Sequence, residues 1–202
     1  KANAASYDEN GYKNGGGVFS TSHDFAGEPV QFAIAAPTIV NNAIIANGAY
    51  QGAGICLIDY PRAPDPGLTP PPKVINNTIV ANNGSGIFWT NNFPVVSNNL
   101  VAFNAWGLEQ GIIGSNYPVL RYNNVFGNVL VGKSTNYQGI DDLTGTDGNL
   151  SADPLLANFA VGNVHIQPSS PCVDAGSNDN VEAGWKDMDG QDRILGDGVD
   201  IG

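Results

Sequence analysis

Residues 72–87 read Pro-Lys-Val-Ile-Asn-Asn-Thr-Ile-Val-Ala-Asn-Asn-Gly-Ser-Gly-Ile. The phrase has a copy before it from Pro37, one after it from Pro94, and a looser fourth copy from Pro118. Its Asn pairs begin at Asn41, Asn76, Asn98 and Asn123, giving steps of 35, 22 and 25 residues. A period in the twenties marks a stacked repeat, in which one unit cannot bury its apolar face without its neighbours. Each copy carries short β-branched runs bounded by Asn and Gly, with no apolar period near 3.6, so the units are built of strands. The reading is all-β: a right-handed single-stranded parallel β-helix, a solenoid with three short strands per coil.

The phrase has a physical logic. Two residues before the first Asn stand Ile39, Val74 and Val96; three after it stand Ile44, Ile79 and Val101. One apolar side chain is expected inward before a corner and another after it. The corner itself favours Asn, which tolerates a left-handed backbone better than other non-glycine residues. Stacked Asn amides can also bond from coil to coil. Asn41, Asn42, Asn76, Asn77, Asn98, Asn99, Asn123 and Asn124 are therefore read as a structural ladder, with a second one through Asn47, Asn82 and Asn104. Turn chemistry explains these positions without a ligand.

On these residues the chain resembles the secreted bacterial right-handed parallel β-helix repeat proteins, the pectate-lyase-like superfamily. The C-terminus adds a second resemblance. Asp153-Pro154-Leu155-Leu156, Ser170-Pro171-Cys172-Val173-Asp174-Ala175-Gly176, Asp187-Met188-Asp189-Gly190-Gln191-Asp192-Arg193 and Gly198-Val199-Asp200-Ile201-Gly202 occur in that order. Together they look like the closing segment of surface β-helix proteins with variable C-terminal anchors. The resemblance implies a secreted or cell-surface protein acting on polysaccharide, lyase- or hydrolase-like, or else a non-catalytic polysaccharide-binding, adhesin or structural module. Lyases of that kind hold Ca²⁺ between acidic side chains and a uronate, with Arg or Lys as base, so Ca²⁺ is the cofactor to consider.

Composition narrows the partners. Eight Lys and Arg against nineteen Asp and Glu leave a net charge of −11. Nucleic acid is a poor partner for such a chain, because its binding needs a basic patch to displace counterions. No stretch approaches the ~18 apolar residues of a membrane span, so no membrane insertion is expected. The two cysteines, Cys56 and Cys172, lie far apart, and a disulfide between them is one of two alternatives, buried thiols the other.

One domain is expected, with coils over 1–149, a Pro-rich loop at 60–72 leaving the stack, and a closing segment over 150–202. The start at Lys1 suggests a piece of a longer chain, and an uncapped N-terminal end invites self-association.

Alternation puts Ile55, Ile87 and Leu108 inward, so Cys56, Phe88 and Glu109 should point out. Glu109 is the candidate acid. Arg121, standing where other copies carry Ile or Val, is the candidate base, provided the local register slips and Leu120 takes the inward place. Asp59, Phe88, Trp89, Trp106 and Lys133 are candidate substrate contacts, the aromatics by stacking on sugar rings. Asp187, Asp189 and Asp192 beside Gly190 loosely match a Ca²⁺ loop, although the distal Glu of an EF-hand is missing; an alternative is turn formation with an Asp–Arg193 pair. His23-Asp24 and His165 have no recognisable nucleophile beside them. The adjacent Asp141-Asp142 cannot straddle a sugar, because neighbouring strand residues face opposite ways.

Overall fold

The computed structural model describes residues 16–22, 36–59, 70–111 and 118–202. Lys1–Asn14, His23-Asp24 and most of the Pro-rich loop lie outside these. Twelve strands come first: β1 (Val18–Ser22), β2 (Thr38–Val40), β3 (Ala43–Ile45), β4 (Ile55–Asp59), β5 (Lys73–Ile75), β6 (Thr78–Val80), β7 (Ser85–Thr90), β8 (Val95–Ser97), β9 (Leu100–Ala102), β10 (Trp106–Gln110), β11 (Val119–Arg121) and β12 (Asn124–Phe126). A hairpin, β13 (Val129–Leu130) with β14 (Lys133–Ser134), precedes β15 (Tyr137–Gln138), and the closing segment adds the antiparallel pair β16 (Leu156–Asn158) and β17 (Asn163–Ile166). The described residues are all-β apart from two short 3-10 turns at Phe159–Val161 and Asn178–Asn180.

Every sequence unit supplies one strand to each of three parallel sheets. The first runs β1-β4-β7-β10-β15, the second β2-β5-β8-β11 and the third β3-β6-β9-β12. Register puts like on like: Ile39, Val74, Val96 and Leu120 pair in the second sheet, and Ile44, Ile79, Val101 and Val125 in the third. These eight pack with Ile55, Ile87 and Leu108 of the first sheet in one buried cluster. The phrase is thus a device for sending one apolar side chain per strand into a shared interior.

The Asn pair divides its labour. The first residue takes the left-handed corner: φ is 56° at Asn41, 55° at Asn76 and 57° at Asn98. The second forms the ladder. Asn77 Oδ1 accepts from Asn42 N–H and Nδ2–H (3.1 and 3.0 Å), and Asn99 Oδ1 accepts from both donors of Asn77 (3.0 and 3.0 Å). The fourth copy is shifted by one. Tyr122 takes the corner at φ 55°, and Asn123 continues the ladder to Asn149. Of the expected ladder, Asn41, Asn76 and Asn98 are therefore corners. Asn124 bonds instead to the backbone of Ala152 and to Cys172 Sγ. The shift has the expected result for its neighbours: Leu120 is buried and Arg121 exposed.

A second ladder passes from Asn47 through Asn82, Asn104 and Asn128 to Asn136. Its corners are Ala46, Ala81, Phe103 and Gly127, at φ between 55° and 61°. Against this ladder lies a column of glycines. A Cβ at Gly86 would meet Val101 Cγ1 at 2.6 Å and Asn104 Nδ2 at 2.9 Å, which is why the strand opens on glycine.

The closing segment covers the outer face of the third sheet. Val80, Leu100 and Ala102 pack there with Val164, Cys172 and Ile201. Cys56 is buried elsewhere, beside Ile58 and Phe88, so the two thiols are not bridged to each other.

Two stability outcomes follow. Asn99→Ala strands buried partners in its own and both adjoining coils, including the carbonyls of Ser97 and Val74 and Asn123 Oδ1, and should cost about 3–5 kcal/mol in urea unfolding. Ala81→Gly relieves a left-handed alanine, worth about 1–2 kcal/mol, against ~0.5–1 kcal/mol of added chain entropy. A modest rise in melting temperature is expected, and a fall would contradict the corner assignment.

Candidate functional site

The first sheet carries the candidate acid. Glu109 sits on β10 in register with Phe88 of β7 and Gln138 of β15. The Ser85 hydroxyl donates to its carboxylate. Burial lifts the Glu109 carboxyl above its ordinary range, and the Ser85 hydrogen bond partly offsets this. A partly buried acid held by one hydroxyl is able to keep a proton at higher pH than a surface glutamate.

Beside it, at the start of the same strand, Trp106 is half-buried and meets exposed Tyr50 edge-on, with ring centroids 6.5 Å apart at 68°. Ser85 is the register partner of Trp106. The corner therefore opens a strand that bears, three residues on, the Glu109 carboxylate. Stacking surface flanked by hydrogen-bonding groups is the arrangement that suits a sugar ring.

The remaining candidates are placed differently. Trp89 is wholly buried in the main core, because it shares the inward face with Ile87 two residues before it. It offers no ring to a ligand. Phe88 does leave the core, as alternation requires, yet it is only 2% exposed; it packs with Cys56 and Ile58, and the chain crosses it closely at Gly111. Arg121 is exposed at the end of β11 in the second sheet, while Glu109 belongs to the first, so the proposed acid and base are not brought together. Lys133 is exposed on the β13–β14 hairpin, which belongs to none of the three sheets. Asp59 ends β4 opposite Ser22, and its side chain lies outside the described residues.

The three closing-segment aspartates are committed separately. Asp187 Oδ1 accepts from the N–H groups of Asp189 (2.9 Å) and Gln191 (2.8 Å), forming a turn. Asp189 pairs with His165 Nε2 at 2.8 Å, and Asp192 pairs with Lys186. Among the described residues no group of three or more His, Cys, Asp or Glu gathers to hold a metal ion. The Ca²⁺ loop is not formed, because each carboxylate is turned toward its own local donor. Arg193, expected to pair with an aspartate, donates through Nη2 to the carbonyls of Asp200 and Gly202 and so ties down the end of the segment.

Sequence reading missed Ser85, Tyr50 and the His165–Asp189 pair. Tyr50 falls between phrases and carries no pattern. Ser85 has only its register with Trp106 to mark it, and register emerges once the coils are stacked. His165 meets Asp189 across 24 residues, a distance that no local motif spans.

Since folding raises the Glu109 carboxyl, its ionisation opposes the folded state. Its favourable contribution is complete below the ordinary glutamate range and is lost as pH rises through the raised value. Glu109→Gln should therefore gain stability over the parent at neutral pH and little at pH near 4 (about the unfolded value). Equal differences at both pH values in thermal unfolding would show that the carboxyl is not perturbed. Comparison with protein-family models, curated proteins and solved structures finds no match to this chain, so the chemistry of these sites rests on their own geometry.

Proposed function

We propose that this chain is a right-handed parallel β-helix serving as a secreted or cell-surface polysaccharide-binding module. The three-sheet parallel order, with one strand per unit in each sheet and one shared apolar interior, supports that architecture. Kinship with the pectate-lyase-like superfamily, and with the closing segment of variable-anchor surface proteins, belongs to the same proposal. So does association of copies through the N-terminal end of the stack.

The observation that carries binding is the Trp106–Tyr50 corner on the strand that carries Glu109. A lyase or hydrolase reading draws less support, because Glu109 and Arg121 stand on different sheets. Charge fits the choice of ligand, since the acidic chain disfavours nucleic acid. No helix among the described residues is long and apolar enough to cross a membrane.

The test is a panel of neutral and uronate polysaccharides, with and without Ca²⁺, followed by retention in affinity gels, unsaturated-product absorbance and reducing ends. Retention without product is expected. Trp106→Ala should weaken retention by about 3- to 10-fold, the worth of one aromatic contact. Product release abolished by Glu109→Ala would replace this proposal with an enzyme.

A further inference from the structure

The corner asparagines hold a feature that the turn does not require. A left-handed corner is made equally by Ala46, Ala81, Phe103 and Tyr122, so the backbone alone does not demand an amide there. Asn98 shows what the amide does. Its Oδ1 accepts from Ser177 N–H and its Nδ2 donates to Ser177 C=O, both at 2.9 Å. It is a two-pronged grip, one donor and one acceptor, closed on the closing segment.

Asn76 stands one coil earlier in the same column, where β5 pairs with β8. It is 2% exposed, yet neither Oδ1 nor Nδ2 has a hydrogen-bond partner among the described residues. Asn41 Oδ1, one coil earlier again, is likewise buried and unpartnered, and so is Arg193 Nε. All three residues line one cleft of about 100 Å³ between this column and the closing segment. His165, Asp187, Asp189 and Asp200 add to its polar wall. A buried amide left without partners costs about 1–3 kcal/mol, so the cleft is built to be filled by something that hydrogen-bonds.

We infer that this cleft binds one residue of a neutral saccharide through a pair of adjacent hydroxyls. A hydroxyl both donates and accepts, so two neighbours meet Asn76 Oδ1 and Nδ2 together and leave capacity for Asn41 Oδ1 and Arg193 Nε. The carboxylates of Asp187, Asp189 and Asp200 outnumber the single arginine in the lining, which turns away uronates and other anions. The cleft is compact, matching the edge of a single ring and not a polymer or an extended peptide. The site is separate from the Trp106 corner: it is read with monosaccharides at Asn76, the corner with polysaccharide retention.

The experiment titrates the isotopically labelled full chain with glucose, galactose, mannose and galacturonate, following the Asn76 side-chain amide resonances. At least one neutral sugar should shift them, and galacturonate should not. Asn76→Gly keeps the left-handed corner, φ 55°, and removes the amide. It should weaken that sugar by about 10- to 100-fold, the loss of two hydrogen bonds. The inference fails if no neutral sugar moves the resonances, or if affinity survives in Asn76→Gly. It fails equally if a peptide of sequence 174–178 shifts the amide while the sugars do not, or if crystals soaked in sugar hold only water in the cleft.

Discussion

A buried amide left without hydrogen bonds on its oxygen and nitrogen is costly, and the two asparagine ladders are arranged to meet that requirement coil after coil. Asn77, Asn82, Asn99 and Asn123 each give Nδ2 to carbonyls of their own and the preceding coil and to the next asparagine, whose Oδ1 also takes their backbone N–H. Partners lie 22 to 35 residues apart in sequence, except at the last rung of the second ladder, where Asn128 and Asn136 are 8 apart, so the bonds join coils and not immediate neighbours along the chain. Apolar columns alone would allow coils to slide by a strand position. The amides fix the register, because a slip would leave donors and acceptors unpaired in the interior.

Much of this was legible. The spacing of Ile39, Val74 and Val96 before the Asn pair, and of Ile44, Ile79 and Val101 after it, gave the inward columns and the parallel stacking. The slip at Arg121 could be inferred because a buried guanidinium is too costly. The division of labour within each pair was less visible, since both residues are Asn in three copies. Only the fourth, with Tyr122 at the corner, separates the roles. The ladder's last rungs, Asn128, Asn136 and Asn149, were hidden because the surrounding phrase has already decayed there.

The candidate site was read less well, for physical reasons. Trp89 follows from strict alternation as an inward residue, and its size suggested a surface role that its phase forbids. Phe88 has the outward phase but is covered by chain that no periodicity describes. The aspartates of the closing segment look like a cation loop in one dimension. In three, backbone N–H groups, His165 and Lys186 reach them first. Function depends on such long-range meetings, whereas the repeat depends on a pattern printed in every copy.

The ladders also have a direction. In every rung between asparagines the amide oxygen accepts from the earlier residue, and the Nδ2 that donates belongs to that earlier one. Their dipoles therefore add along the stack, with the negative pole toward the N-terminal end, as peptide dipoles add along a helix. At the later end both ladders are closed within the chain, where Asn136 Nδ2 donates to Ser151 Oγ and Asn149 Nδ2 to the carbonyls of Leu120 and Thr146. The polarity of one side chain thus gives the stack two chemically unlike ends.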